Sequence, residues 1–189
     1  MQGQVSSLKE SAYVERTQKP RSVCSLFCSF QVKIDLSTPA TYWNFILSTF
    51  KDLNMNSDQF AKYLEHLDHP EQLPLGHDVP SLYRLYQEHL TRFPYQNVEL
   101  FLNQPIRDLS VEGLLESVPK SGGYCFHQSE LMLFALQHLG FHVERVAAWV
   151  LMGNQFQEGM PLNHNILVVK VSDDEMFLCD PGLASASPR

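Results

Sequence analysis

Basic charge and long apolar runs are both scarce in this chain, and each scarcity removes a class of function. Lys and Arg total 14 against 21 Asp and Glu, a net charge of −7 over 189 residues. No window concentrates the basic residues, so the electrostatic footprint of a nucleic-acid-binding protein is missing. No stretch approaches the ~18 consecutive apolar residues of a membrane span. Residues 23–32 are mildly apolar behind Lys19 and Arg21, but serines and a glutamine dilute them and no clear small-residue cleavage site accompanies them. No secretory signal is expected from them. Cysteine is sparse too: four in a chain of this length form no disulfide framework. Cys24 and Cys28 have the spacing of a zinc half-site, yet no second pair matches it, so no metal is expected. The expected setting is reducing and cytoplasmic, with neither a membrane nor a nucleic acid as partner.

What remains is an ordinary globular composition, 44% hydrophobic and 19% charged, with no internal repeat. Residues 1–40 are polar, lack sustained periodicity and read as a disordered extension. Thr38-Pro39 opens a helix pattern with Trp43, Ile46, Leu47 and Phe50 at helical spacing. Ser57 or Asn56 caps the next helix, with Phe60, Tyr63, Leu64 and Leu67 on one stripe and its end before Pro70. A proline-rich loop over 68–80 leads to a helix starting near Ser81. Its apolar face is Leu82, Leu85, Tyr86, His89, Leu90 and Phe93, with His89 read as a satisfied core or rim histidine, and Pro94 stops it. A short helix over 110–118 precedes Pro119.

A further helix, apolar almost all round, occupies the stretch from Cys125 to Leu139, and Gly140 ends it. Beyond it the character changes. Residues 143–152, 163–171 and 176–179 are β-prone, with a Ser-Asp-Asp-Glu turn at 172–175. Helices first and an antiparallel sheet afterwards is an α+β pattern. The expected organisation is an extension over 1–40, a helical bundle over 41–140, a β domain over 141–182 and a tail over 183–189. Three short strands close a core poorly and leave an edge open, so the chain reads as the front part of a larger fold.

The candidate chemistry centres on Gly122-Gly123-Tyr124-Cys125. Two glycines deliver a cysteine to the first turn of a helix, where unpaired backbone N–H groups and the helix dipole favour an anion. The anionic thiolate is the nucleophilic form of cysteine. Buried cysteines more often only pack, and the helix start alone leaves the two readings even. A cysteine nucleophile needs a base and a group that orients it. His164 begins one predicted strand and Asp180 ends the next, so a hairpin brings them to the same rim. His127 is the rival base, but two residues along a helix point in different directions.

From about Ser81 to Gly182 the sequence resembles the arylamine N-acetyltransferases. Gly122-Gly123-Tyr124-Cys125-Phe126 is similar to that family's Arg-Gly-Gly-aromatic-Cys motif, and Phe93-Pro94-Tyr95-Gln96-Asn97-Val98 to its Pro-Phe-Glu-Asn-Leu segment. Asn163-His164-Asn165-Ile166-Leu167 resembles its Thr-His-x-Leu-Leu segment, and Asp180-Pro181-Gly182 its Asp-x-Gly. The resemblance implies a papain-like arrangement with a Cys125–His164–Asp180 triad. It implies acetyl-CoA as acyl donor, no metal, and a small arylamine or hydrazine acceptor bound beside Tyr95 and Tyr124. Ser121 stands where the family has Arg, His127 where it has Glu or Gln, Ser129 where it has Asn, Asn163 where it has Thr, and Leu183 where it has an aromatic residue. The alternatives are a catalytically impaired truncated or variant product of this family, and a papain-like or transglutaminase-like thiol enzyme.

Overall fold

The computed structural model describes residues 32–34, 54–68, 76–151, 154–155, 157–160 and 162–183. Helix α1 (Ser57–Glu65) starts at a capping box: Asn56 Oδ1 accepts from the Gln59 N–H at 2.9 Å, and Gln59 Oε1 accepts from the Asn56 N–H at 2.8 Å. Helix α2 (Val79–Arg92) begins two residues before Ser81. Asp78 is the actual cap, its carboxylate accepting from the Ser81 N–H at 2.9 Å, and Pro80 lies in the first turn, where a missing N–H costs nothing. A one-turn helix α3 (Val98–Phe101) follows, then α4 (Val111–Ser121), capped by Ser110. Pro119 does not end α4. It lies in the last turn and removes one bond, and the helix closes through the Gly122 N–H on the Val118 carbonyl at 2.9 Å.

Helix α5 (Cys125–His138) is the centre of the molecule. Leu131, Met132, Leu133, Phe134, Ala135 and Leu136 are consecutive and all buried, which an amphipathic helix could not manage. Helices α1, α2 and α4 pack on it, and so does the sheet. Each large apolar side chain so buried contributes about 1.5–3 kcal/mol. A forked ion pair crosses this interface: Arg145 Nε and Nη2 donate to the two Glu130 carboxylate oxygens at 2.7 and 2.6 Å.

The sheet is antiparallel throughout, and its order is the order of the chain. Strands β2 (His142–Val150), β3 (His164–Lys170) and β4 (Met176–Cys179) agree with the expected segments to within two residues at each end. The fold class is α+β, as expected, but among the described residues the sheet has four strands rather than three. The additional strand is β1 (Val32–Ile34), paired with β2 through Val32↔Val150 and Ile34↔Ala148. It comes from the stretch read as an extension, where three residues are too few for any periodicity to register. The helix pattern from Thr38 to Phe50, the Cys24 and Cys28 pair and residues 184–189 lie outside the described residues.

Candidate active site

Cys125 opens α5 directly after a bend that only glycine permits. Gly122 has φ +70, and a Cβ there would also collide with the Pro94 carbonyl oxygen. Gly123 runs beside Tyr95 as a single parallel bridge, its N–H donating to Pro94 O at 3.1 Å and its carbonyl accepting from the Gln96 N–H at 3.1 Å. The tight bend delivers the Cys125 side chain to the start of the helix, 6% exposed. Tyr124, at the N-cap position, makes no side-chain cap, so the first-turn N–H groups keep their capacity for a negative charge.

The β3–β4 hairpin brings His164 and Asp180 together, as the strand ends predict. His164 Nε2 lies 2.9 and 2.8 Å from the two Asp180 carboxylate oxygens. The Asp180 backbone is tied to α2, its N–H donating to Tyr86 Oη at 3.2 Å. With Nε2 on the carboxylate, Nδ1 is the nitrogen left for the Cys125 thiol, which lies within hydrogen-bonding reach of the ring. Burial alone would pull the His164 pKa down. The hydrogen bonds to Asp180 and Cys125 and the negative charge of both outweigh it and hold the imidazolium up to about 9.

The rival base is elsewhere. His127 is fully buried against Gly123, with its ring edge-on to Tyr124 at 4.4 Å, and neither ring nitrogen has a partner among the described residues. Burial, with the Arg107 charge nearby, pushes its pKa down to about 4. Tyr95 is 37% exposed, and its partial burial first, then the charge of Cys125, raises its phenol pKa. Tyr124 is buried, and desolvation first, then the Cys125 charge, pushes its phenol up to about 12. Ser129 donates to the Asn165 carbonyl at 3.0 Å, tying α5 to β3 next to His164. Asn163 accepts from the Val150 N–H at 2.9 Å, bridging β2 to the start of β3.

His89, expected to be a satisfied core or rim histidine, is one, and it belongs to a network beneath the bend whose partners sequence reasoning did not name. Tyr63 Oη donates to His89 Nδ1 at 3.0 Å, and His89 Nε2 donates to Gln128 Oε1 at 3.0 Å. The Gln128 amide then donates to Pro94 O at 3.0 Å and to Phe93 O and Gly123 O at 3.3 Å. Burial pushes the His89 pKa down to about 3, so the ring is neutral and this tautomer is the one that satisfies both neighbours. Two surface hollows, one of about 520 Å³ beside His77 and His142 and one of about 360 Å³ beside Asp108 and Lys120, are lined by none of Cys125, His164 and Asp180. Among the described residues no group of three or more His, Cys, Asp or Glu could hold a metal ion, and no helix is long and apolar enough to cross a membrane.

Residues 78–188 match the sequence profile of an N-acetyltransferase family. The arylamine N-acetyltransferase of Mycolicibacterium smegmatis is 32% identical over 109 residues, which are 56% of this chain and 40% of that protein. The structure of the Nocardia farcinica arylamine N-acetyltransferase superposes with a TM-score of 0.58 at 29% identity, covering 69% of this chain and 46% of that one. The Mycobacterium marinum enzyme in complex with CoA shares the fold, with a TM-score of 0.58 at 24% identity over 65% of this chain and 46% of that one. The chain spans about two fifths of the length of the curated relatives it matches. With the profile covering more than half of its residues, this chain belongs to the arylamine N-acetyltransferase family.

Proposed function

We propose that the chain carries the acyl-transfer centre of an arylamine N-acetyltransferase, built on a papain-like pairing of helix and sheet. In this reading Cys125, His164 and Asp180 are the triad and acetyl-CoA is the donor substrate. The Cys125 thiolate attacks the thioester carbonyl, the carbon–sulfur bond to CoA breaks, and the CoA thiolate leaves, taking a proton from the His164 imidazolium. Exchange of one thioester for another is nearly isoenergetic, so a stabilised thiolate suffices for this half. An arylamine or hydrazine nitrogen then attacks the acetyl-enzyme, His164 accepts its proton, and Cys125 departs as thiolate. Asp180 holds the imidazole with Nδ1 toward sulfur and offsets its positive charge. Tyr95, more exposed than the buried Tyr124, is the better placed of the two tyrosines to touch an acceptor.

The observation that carries this reading is the coupling of three groups from three elements. Asp180 lies 2.8 Å from His164 Nε2, and the hydrogen bonds and charges of Asp180 and Cys125 outweigh burial and hold the His164 imidazolium up to about 9. A merely packed cysteine needs no such neighbour. Initial rates of CoA release, with acetyl-CoA and an arylamine varied together, test the reading. Parallel double-reciprocal lines are expected from a ping-pong enzyme. Intersecting lines contradict the covalent route, and a folded chain that releases no CoA is the impaired product that the family resemblance also allowed.

A further inference from the structure

We infer that Arg107 is a positioning residue for Cys125, reaching the nucleophile's bend from outside it. The inference rests on the reading of Cys125 and His164 as a reactive pair. Arg107 lies between α3 and α4, far from the motif in sequence, and its side chain is 15% exposed. Its Nε donates to both Glu99 carboxylate oxygens at 2.7 Å. From the other side of the guanidinium, Nη1 donates to Ser121 Oγ at 2.9 Å and to the Gly122 carbonyl at 3.0 Å. Ser121 Oγ passes its own proton to the Ser117 carbonyl at 3.0 Å, so the serine is held at both ends.

The position of this contact matters more than its number of bonds. Gly122 is the residue with positive φ, and Gly123 is pinned on its far side by Pro94, Gln96 and Gln128. Arg107 grips the near side. Only Gly123 and Tyr124 separate that grip from Cys125, and a rotation about the bend swings the sulfur relative to His164. The family motif carries an arginine at the position of Ser121. Here the short side chain at 121 bonds the Ser117 carbonyl and the incoming Arg107, and the guanidinium arrives from residue 107 instead. Glu99 fixes it: the planar guanidinium holds its donors to the Glu99 carboxylate and the Gly122 carbonyl in one fixed geometry, which a flexible ammonium stem does not preset.

The test compares iodoacetamide alkylation of Cys125 at pH 7, read by peptide mass on the full chain, in the wild type, Arg107→Lys and Arg107→Lys with Ser121→Arg. Cys179 is fully buried in β4 and serves as the internal reporter of loosened packing. Arg107→Lys is expected to slow Cys125 about tenfold while Cys179 stays protected, because an ångström of misplacement suffices for that loss. Ser121→Arg, which returns a guanidinium to the loop, is expected to recover most of the rate. An unchanged Cys125 rate overturns the inference. So does a variant in which Cys179 becomes reactive as Cys125 changes, since that reports loss of the fold rather than of position. Alkylation needs no acetyl donor, so a chain that is never acetylated yet shows this dependence loses the transferase reading and keeps this one.

Discussion

Gly182 lies directly on the backbone of Cys125: a Cβ built on the glycine would overlap the Cys125 Cα and Cβ. The turn that carries Asp180 is thus in van der Waals contact with the residue its histidine partner serves. Gly182→Ala is therefore expected to push β4's exit away from α5 and to lower the Cys125 alkylation rate by about tenfold or more. Peptide-resolved iodoacetamide labelling measures it, and a wild-type rate would show that the contact is not tight.

Asp180→Asn removes the carboxylate that outweighs the burial of His164. The His164 pKa, held up to about 9, is expected to fall by at least about two pH units. NMR titration of the imidazole ring protons reads this directly. A histidine still titrating near pH 9 in the variant would transfer the cause from Asp180 to Cys125.

Three buried histidines shape stability against pH: His89 and His127, whose pKa is near 4, act on the acid side and His164 on the alkaline side. His89 is neutral when folded, with a pKa near 3 against an ordinary 6.5, so stability is lost as pH falls from about 6.5 toward 3. His164 is protonated when folded, with a pKa near 9, so its contribution is complete below about 6.5 and fades as pH rises toward 9. Denaturant midpoints across this range are expected to decline on both sides of about pH 6.5. In His89→Gln the acid-side decline is expected to weaken, while the alkaline side stays.

The Glu130–Arg145 fork is a structural prediction. Arg145→Met leaves a carboxylate that is 4% exposed without its partner, which costs about 3–5 kcal/mol by urea denaturation. Replacing both residues by Leu is expected to recover most of that loss, because no charge is then stranded. Equal destabilisation in the single and double variants would show that shape, not charge, is what the pair supplies.

The parts of this molecule written in local pattern were legible in its sequence. Helix α5 is apolar all round and bounded by Gly123 and Gly140, and the β3–β4 hairpin is two β-prone runs around a polar turn. Locating His164 and Asp180 at one rim needed only that hairpin. What escaped is contact between distant segments. Strand β1 exists through its pairing with β2 and has no pattern of its own. Tyr86 looked like one more apolar residue on a helix face, yet its hydroxyl accepts the Asp180 N–H. Arg107 drew no notice, since its contact with Gly122 joins segments far apart in the chain, and Pro119 looked like a stop, although one lost bond in a last turn is cheap enough for the helix to continue.

The central claim is that Cys125 becomes covalently acylated, and mass spectrometry after incubation with acetyl-CoA tests it most directly. The account predicts a gain of one acetyl group on the peptide containing Cys125, absent in Cys125→Ala and in His164→Ala. A folded chain that gains no acetyl group at saturating acetyl-CoA, or gains it equally in the Cys125→Ala variant, would contradict it.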